Sequence, residues 1–270
     1  KKDKRNSLFW EFLRAVNETA PKAVIFENVA GFKSLYNGQA YETLIKELES
    51  IGYSVFTDVL NAADYGLPQL RKRTIVVGVS KGCSFSFPKI IKSKNKNLFE
   101  DKYLTIMSAI SDLPKLNVGE EKNKYSCEPK NDYQKKMRGS NKILTEHNCS
   151  NYGERMQKII SLVPPKGDIS DLPLSLRPKK YFNNVYARID PTQPSPTITR
   201  NFGTPSSTRC IHPFQNRALS TREGARLQGF PDKFIFYGSK TSKNLQIGNA
   251  VPPLLGEIIG KQIIKSLNSK

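Results

Sequence analysis

The chain has 270 residues, of which 37% are hydrophobic and 10% aromatic, enough apolar material for one large domain or two smaller ones. Lysine and arginine number 43 against 24 aspartates and glutamates, a formal net charge of +19 that points to a polyanionic partner, and first of all to nucleic acid. No run approaches the ~20 apolar residues of a membrane span. The four cysteines, Cys83, Cys127, Cys149 and Cys210, lack CxxC spacing, which with only two histidines disfavours zinc and fits reduced thiols in the cytoplasm.

Residues 1–80 read as alternating helix and strand. The basic opening Lys1-Lys2-Asp3-Lys4-Arg5 runs straight into a helix whose apolar stripe is Leu8, Phe9, Phe12, Leu13 and Val16. Such an opening inside a structural unit is expected of a chain cut from something longer. Ala23 to Phe26 is continuously apolar, the pattern of a strand in the middle of a parallel sheet, and it ends in Glu27-Asn28-Val29. A helix with Tyr41, Leu44, Ile45, Leu48 and Ile51 on one face stops near Gly52. Tyr53 to Leu60 and Thr74 to Val79 read as two more strands, which together make half of an α/β sheet.

Two groups in this part carry chemistry. Glu27 follows a buried strand directly, at the carboxyl end where open α/β sheets bind ligands, and a carboxyl there is suited to giving a proton or hydrogen bond to a ring nitrogen. A loop-pinning glutamate is the plainer alternative. Arg71 and Arg73 in Gln69-Leu70-Arg71-Lys72-Arg73 point the same way if the backbone is extended, and two guanidiniums on one face suit phosphate or a base edge. A solvated basic strand is the plainer alternative there.

Residues 81–180 are richer in lysine, asparagine, serine and proline, and read as a loop-rich insert. Lys89–Asn97 and Glu120–Lys136 have disorder-prone composition. One helix carries Met156, Ile159, Ile160 and Val163 and is stopped by Pro164-Pro165. The charge does not mark a footprint: residues 81–187 hold 20 basic and 11 acidic side chains, and the rest of the chain 23 and 13.

Residues 181–270 return to compact patterning. Pro194 to Thr199 is extended and hydroxyl-rich, and Thr221 to Gln228 reads as a helix bearing Arg222, Glu223 and Arg226. In Gln246-Ile247-Gly248-Asn249-Ala250-Val251-Pro252-Pro253, Gly248 and Asn249 are the residue types that best tolerate left-handed backbone. The prolines suit the first turn of a closing helix from Leu254 towards Leu267. A polar loop at that helix start could serve a carboxylate or phosphate.

Phe26-Glu27-Asn28-Val29, the run Tyr65 to Arg73, Pro194 to Thr199, Arg226-Leu227-Gln228-Gly229-Phe230-Pro231-Asp232 and Gln246 to Pro253 resemble, in order and spacing, the DNA (cytosine-5) methyltransferase family. The resemblance covers the chain except its middle insert. It implies an α/β, partial Rossmann-like class I methyltransferase domain with an inserted, loop-rich target-recognition domain. The implied division is 1–80 for the C-terminal half of the catalytic domain and 81–187 for target recognition. Residues 188–270 would then be the recognition remainder and the C-terminal helices. The family's glycine loop and Pro-Cys nucleophile are not found, and none of the four cysteines follows a proline. The chain therefore reads as the C-terminal part of such an enzyme, needing an N-terminal half or subunit for chemistry.

The resemblance also implies the reaction. A cysteine thiolate adds to C6 of a flipped cytosine and makes C5 nucleophilic towards the methyl group of S-adenosylmethionine. Glu27 matches the group that serves N3, and Arg73 the group that holds the base and its surroundings. Leu8, Asn249 and Ala250 match cofactor contacts, the latter two through their backbone. Arg71, Thr197 and Thr199 are candidate contacts to double-stranded DNA. The implied setting is a bacterial or archaeal cytoplasm and a restriction-modification system, with no metal. Two other functions share these features: a non-catalytic DNA-binding specificity subunit and an RNA cytosine-5 methyltransferase.

Overall fold

The structure is a computed structural model that describes residues 7–94 and 101–269. The opening run 1–6, and residues 95–97 of the disorder-prone Lys89–Asn97 stretch, lie outside the described residues. The chain divides into two compact units: one formed by Lys1–Asn61, Lys72–Lys89 and Leu255–Lys270, the other by Ala62–Arg71 and Ile90–Leu254. These cuts differ from the sequence division at residues 80 and 187. The ten residues before the third strand go with the insert, and the body of the last helix goes with the first unit.

In the first unit, α1 (Ser7–Thr19), β1 (Ala23–Val29), α2 (Gln39–Ser50), β2 (Tyr53–Asn61) and β3 (Lys72–Ser80) follow in order, and most of α8 (Pro253–Asn268) completes it. The sheet order is β1-β3-β2, and both pairings are antiparallel, with Glu27 opposite Ile75 and Val29 opposite Arg73. This corrects the expectation of a strand in the middle of a parallel sheet. The apolar run of β1 lies beside a single described neighbour, and Ile25 is 45% exposed. The central strand is β3, where Ile75, Val76, Val77 and Val79 are all buried. Period-2 alternation divides these between two faces, so both faces of β3 are covered. One face carries Val24, Val76 and Tyr53, packed with Leu13 and Val16 of α1 and with Leu44 and Leu48 of α2. Gly78 is on that face because a β-carbon there would stand 2.8 Å from the Val24 side chain. Helix α2 ends as expected: Gly52 has φ +104, and its N–H donates to the Glu49 carbonyl.

The second unit is held by short helices and long connections. Its elements are β4 (Lys92–Ser93), β5 (Asp101–Lys102), α3 (Ile106–Ile110), α4 (Asp132–Arg138), α5 (Glu154–Leu162), α6 (Thr221–Leu227) and α7 (Lys240–Asn249). The Glu120–Lys136 stretch is not a featureless tether: it contributes part of α4, with Tyr133 and Gln134 buried. Among the described residues, apolar clusters lie around Ile106, Ile110, Met137, Leu219, Leu227 and Ile247, and around Ile159, Ile160, Val163, Val185 and Ile211.

Every residue of α6 is buried. Its charges are therefore paired inside the protein. Arg226 bonds Asp112 at 2.5 Å and Asp232 at 2.6 Å, and Arg138 bonds Asp112 at 2.8 Å. Glu223 takes a two-pronged bond from Arg217, at 2.7 Å to each oxygen, and its side chain also caps the Ser220 N–H. Burial pushes the Glu223 carboxyl up, but the Arg217 guanidinium outweighs burial and leaves it well below the usual carboxylate range. His147 and His212 are buried in the same region, and burial, the largest cause, lowers both. His147 spans Ser220 Oγ at 2.9 Å and the Pro114 carbonyl at 2.8 Å.

Candidate active site

Glu27 and Arg73 meet in the first unit. Because Glu27 pairs with Ile75, Arg73 is its diagonal neighbour two residues along β3, on the same face of the ladder. Arg73 Nε lies 2.9 Å from Glu27 Oε1, and the two side chains are 15% and 21% exposed. The approach is off the N–H direction, so Glu27 Oε1 is buried without an aligned hydrogen bond. Arg73 spends Nη1 on the Lys72 carbonyl at 2.8 Å, which fixes the guanidinium plane. Here are a carboxylate with a spare lone pair and a cation that orients it.

Glu27 of this pair lines an aromatic cavity of about 510 Å³, together with Leu8, Phe9, Trp10, Phe26 and Phe32 among others. The rings form a connected set, with Phe9 on Trp10 at 5.0 Å, Phe12 on Phe26 at 5.4 Å and Phe26 on Phe32 at 5.3 Å. An apolar aromatic wall beside one carboxylate suits a flat heteroaromatic ring. Leu8 lines this cavity and is 63% exposed. The aromatic residues Trp10 and Phe32 were missed by motif reading, because only the fold shows that they surround Glu27.

The second unit gathers four of the five motif segments into one hydrogen-bond hub. Gln69 Nε2 donates to the Leu227 carbonyl at 3.0 Å and to Gln228 Oε1 at 2.7 Å, while Gln69 Oε1 accepts from the Ile198 N–H at 2.9 Å. Gln228 Nε2 donates to the Ala250 carbonyl at 2.7 Å. Arg71 donates to the carbonyls of Ile198, Gly248 and Ala250, each at 3.1 Å. The backbones of Leu70 and Ser195 pair at 2.9 Å, and Thr197 Oγ1 donates to the Leu70 carbonyl at 2.7 Å. These are bonds of a scaffold.

Several sequence assignments change accordingly. Arg71 is 1% exposed and its guanidinium faces backbone carbonyls, so it is an interior clasp and not a surface contact for DNA. It precedes β3, and its guanidinium goes to the carbonyls of Ile198, Gly248 and Ala250, whereas that of Arg73 meets Glu27, so the two do not form one paired binding group. Gly248 and Asn249 do not form a left-handed loop: they end α7, and neither has positive φ. Gly248 is required by space. A β-carbon there would stand 2.5 Å from Thr199 C and 2.7 Å from Arg200 Cα, so the passing chain admits only glycine. The Ala250 N–H is bonded to the Gln246 and Ile247 carbonyls and its own carbonyl to Arg71 and Gln228, which leaves no backbone group of Ala250 for a ligand. The Asn249 and Thr199 side chains are exposed.

Cys83, Cys149 and Cys210 are buried and Cys127 is exposed. Burial raises the thiols of Cys149 and Cys210, the opposite of what a nucleophile needs. Among the described residues no cluster of three or more His, Cys, Asp or Glu could hold a metal ion, and no helix is long and apolar enough to cross a membrane.

Comparison with known proteins places the chain in a family. The family model "C-5 cytosine-specific DNA methylase" matches residues 1–265. The Type II methyltransferase M1.HphI of Haemophilus parahaemolyticus is 36% identical over 263 residues, spanning 97% of this chain and 62% of that protein. The Type II methyltransferase M.DdeI of Desulfomicrobium norvegicum is 33% identical, spanning 97% of this chain and 67% of that protein. The chain thus spans roughly three-fifths to two-thirds of the length of these relatives. A crystal structure described as a DNA modification methyltransferase from an E. coli prophage superposes with TM-score 0.75 at 25% identity, covering 99% of this chain and 76% of that one. The S. pombe Dnmt2 methyltransferase shares the fold, with TM-score 0.54 at 16% identity over 98% of this chain and 72% of that one. With a family match over residues 1–265 and relatives up to 36% identical, the chain belongs to the C-5 cytosine-specific DNA methylase family.

Proposed function

We propose that this chain holds the base and recognises the duplex in a DNA cytosine-5 methyltransferase of restriction-modification type, and that the nucleophile comes from an N-terminal half or subunit. The observation that carries the reading is the Glu27–Arg73 pair at the aromatic cavity. Once cytosine is attacked at C6, negative charge builds at N3. Glu27 in its protonated form donates a hydrogen bond there, and Arg73 keeps the carboxyl group from turning away.

S-adenosylmethionine, the methyl donor of this family, supplies an electrophilic methyl group when bound. We assign the Leu8, Phe9 and Trp10 part of the aromatic cavity to its adenine and the Glu27 part to the cytosine. Ala250, with both backbone groups engaged, does not fit a direct role, and its place is to hold the chain beside Asn249. The need for another half is supported by three features of the thiols: burial of Cys83, Cys149 and Cys210, weakened acidity of Cys149 and Cys210, and no Pro-Cys pair. The exposed apolar residues of α1 and β1, Trp10 at 56%, Ile25 at 45% and Val29 at 56%, offer that half an apolar surface.

The test is methyl transfer from labelled S-adenosylmethionine to duplex DNA, by the chain alone and after addition of the nucleophile-bearing half of a relative. Transfer only in the second case is expected. No transfer in either, with DNA binding intact, would instead establish a non-catalytic specificity subunit, and transfer to RNA but not DNA the RNA enzyme.

A further inference from the structure

We infer that the loop Arg177–Asn184 is the element that enters duplex DNA, with Lys179 and Lys180 on phosphates, Phe182 in apolar contact within the groove, and Asn183 and Asn184 at base edges. This rests on the DNA methyltransferase reading above. Every residue from Pro178 to Asn184 is exposed, in the order Pro-Lys-Lys-Tyr-Phe-Asn-Asn. Phe182 is 79% exposed and Tyr181 42%. A large aromatic side chain held in water without a core to join marks a contact surface.

Charge and composition select the partner. Between Asp171 and Asp190 the sequence has no acidic residue, while Arg177, Lys179 and Lys180 fall within four positions. Lysine is depleted from the centres of protein–protein interfaces. It neutralises phosphates readily, and asparagine amides match the paired donor and acceptor of adenine in the major groove. In the major groove an exposed phenylalanine makes apolar contact with the thymine methyl group.

The loop is fastened at both ends, so the tip is presented and not merely loose. Arg177 Nε donates to the Leu172 carbonyl at 2.7 Å and Nη2 to the Ser170 carbonyl at 2.6 Å. On the other side Val185 and Tyr186 are buried. Tyr186 has φ +50, an uncommon value for a bulky residue, and its N–H is held by the Pro205 carbonyl at 2.7 Å. The turn is closed by the Val185 N–H on the Phe182 carbonyl at 3.2 Å.

The test is binding of the chain to a fluorescent duplex, followed by anisotropy over a range of salt concentrations, for the wild type, Lys179→Ala/Lys180→Ala and Phe182→Ala. The double lysine variant is expected to lose about 1.8 from the slope of log affinity against log salt, about 0.9 for each phosphate contact. Phe182→Ala is expected to bind at least about fivefold more weakly with the slope unchanged. Selection of preferred duplexes from a random pool by Asn183→Ala/Asn184→Ala should return a relaxed sequence at one or two positions. All variants are surface changes, and an unchanged melting temperature confirms folding. Wild-type binding with unaltered affinity, slope and selected sequence in the variants overturns the loop assignment and leaves the enzyme reading standing. Failure of the wild type to bind any duplex overturns both.

Discussion

Arg71 and Gly248 are joined by a hydrogen bond of 3.1 Å across 177 positions of sequence. The same guanidinium nitrogen also reaches the Ala250 carbonyl, and its partner nitrogen the Ile198 carbonyl. One buried arginine thus clasps the end of α7 to the Pro194–Thr199 segment. A motif arginine that looks made for DNA is here a structural cation whose partners are carbonyl dipoles.

Replacing Arg71 by methionine removes the donor for the Ile198 and Gly248 carbonyls while keeping most of the stem volume; the Ala250 carbonyl keeps its bond from Gln228. The expected loss of stability is about 2 kcal/mol, from roughly 1 kcal/mol for each deprived acceptor. Urea unfolding measures it. A stable variant with weakened DNA binding would return Arg71 to the DNA surface.

Gly248→Ala tests whether the glycine serves space or backbone freedom. Its φ is not positive, so alanine is conformationally acceptable, yet the new methyl would meet Thr199 and Arg200 backbone atoms. Overpacking against backbone is expected to cost about 2 kcal/mol or more. An unfolding midpoint equal to that of the wild type would show that the Thr199–Arg200 chain moves aside freely.

Acid should loosen the second unit before the carboxylates titrate. His212 is held down to about 4 from its ordinary 6.5, chiefly by burial, with Glu223 opposing and Arg217 and Arg188 assisting. Between those values the unfolded chain binds a proton that the folded one refuses, so stability rises with pH across this window and is lost as pH falls. The loss amounts to about 3 kcal/mol for His212 by pH 4. His147, also lowered by burial, acts in the same direction. Glu223, whose carboxyl is held below its ordinary 4.5, adds a further loss below that pH. Urea titrations between pH 7.5 and 4.5 should show a shallower dependence for His212→Gln than for the wild type. Parallel curves would refute the assignment.

Glu27→Gln keeps the shape of the cavity and removes the proton that the base requires. In the complete enzyme it is expected to slow methyl transfer on the order of a hundredfold or more while leaving DNA affinity within about twofold. An equal loss of transfer and binding would reassign Glu27 to holding the duplex.

Local sequence was sufficient for most elements. The stripe Leu13 and Val16 and the stripe Leu44 and Leu48 turn inward as their spacing required, and Gly52 closes α2 in the left-handed region. The last helix begins at Pro253, one residue from its predicted start. The pattern of β1 misled about direction, because a run of apolar residues reports burial and not the orientation of a neighbouring strand; β3 returns antiparallel beside it. Glu27 was legible as a reactive carboxylate from its place after a strand. Its partner followed from the register, since the offset of two residues between Glu27↔Ile75 and Val29↔Arg73 brings Arg73 diagonally across.

The order of the motifs, the basic balance of the chain and the spacing of its apolar faces are local or additive properties, and the amino-acid order is enough to read them. Which motif residues face a ligand and which face each other depends on segments brought together by folding. Arg71 and Arg73 are two positions apart and chemically alike, yet one is consumed by carbonyls from distant segments and the other stands beside a carboxylate at an open cavity. Gly248 needed its neighbour Thr199, 49 positions earlier in the chain, before its lack of a side chain had a reason. Burial and long-range partners set the free energy of a guanidinium or a glycine, and neither is encoded in the few residues around it.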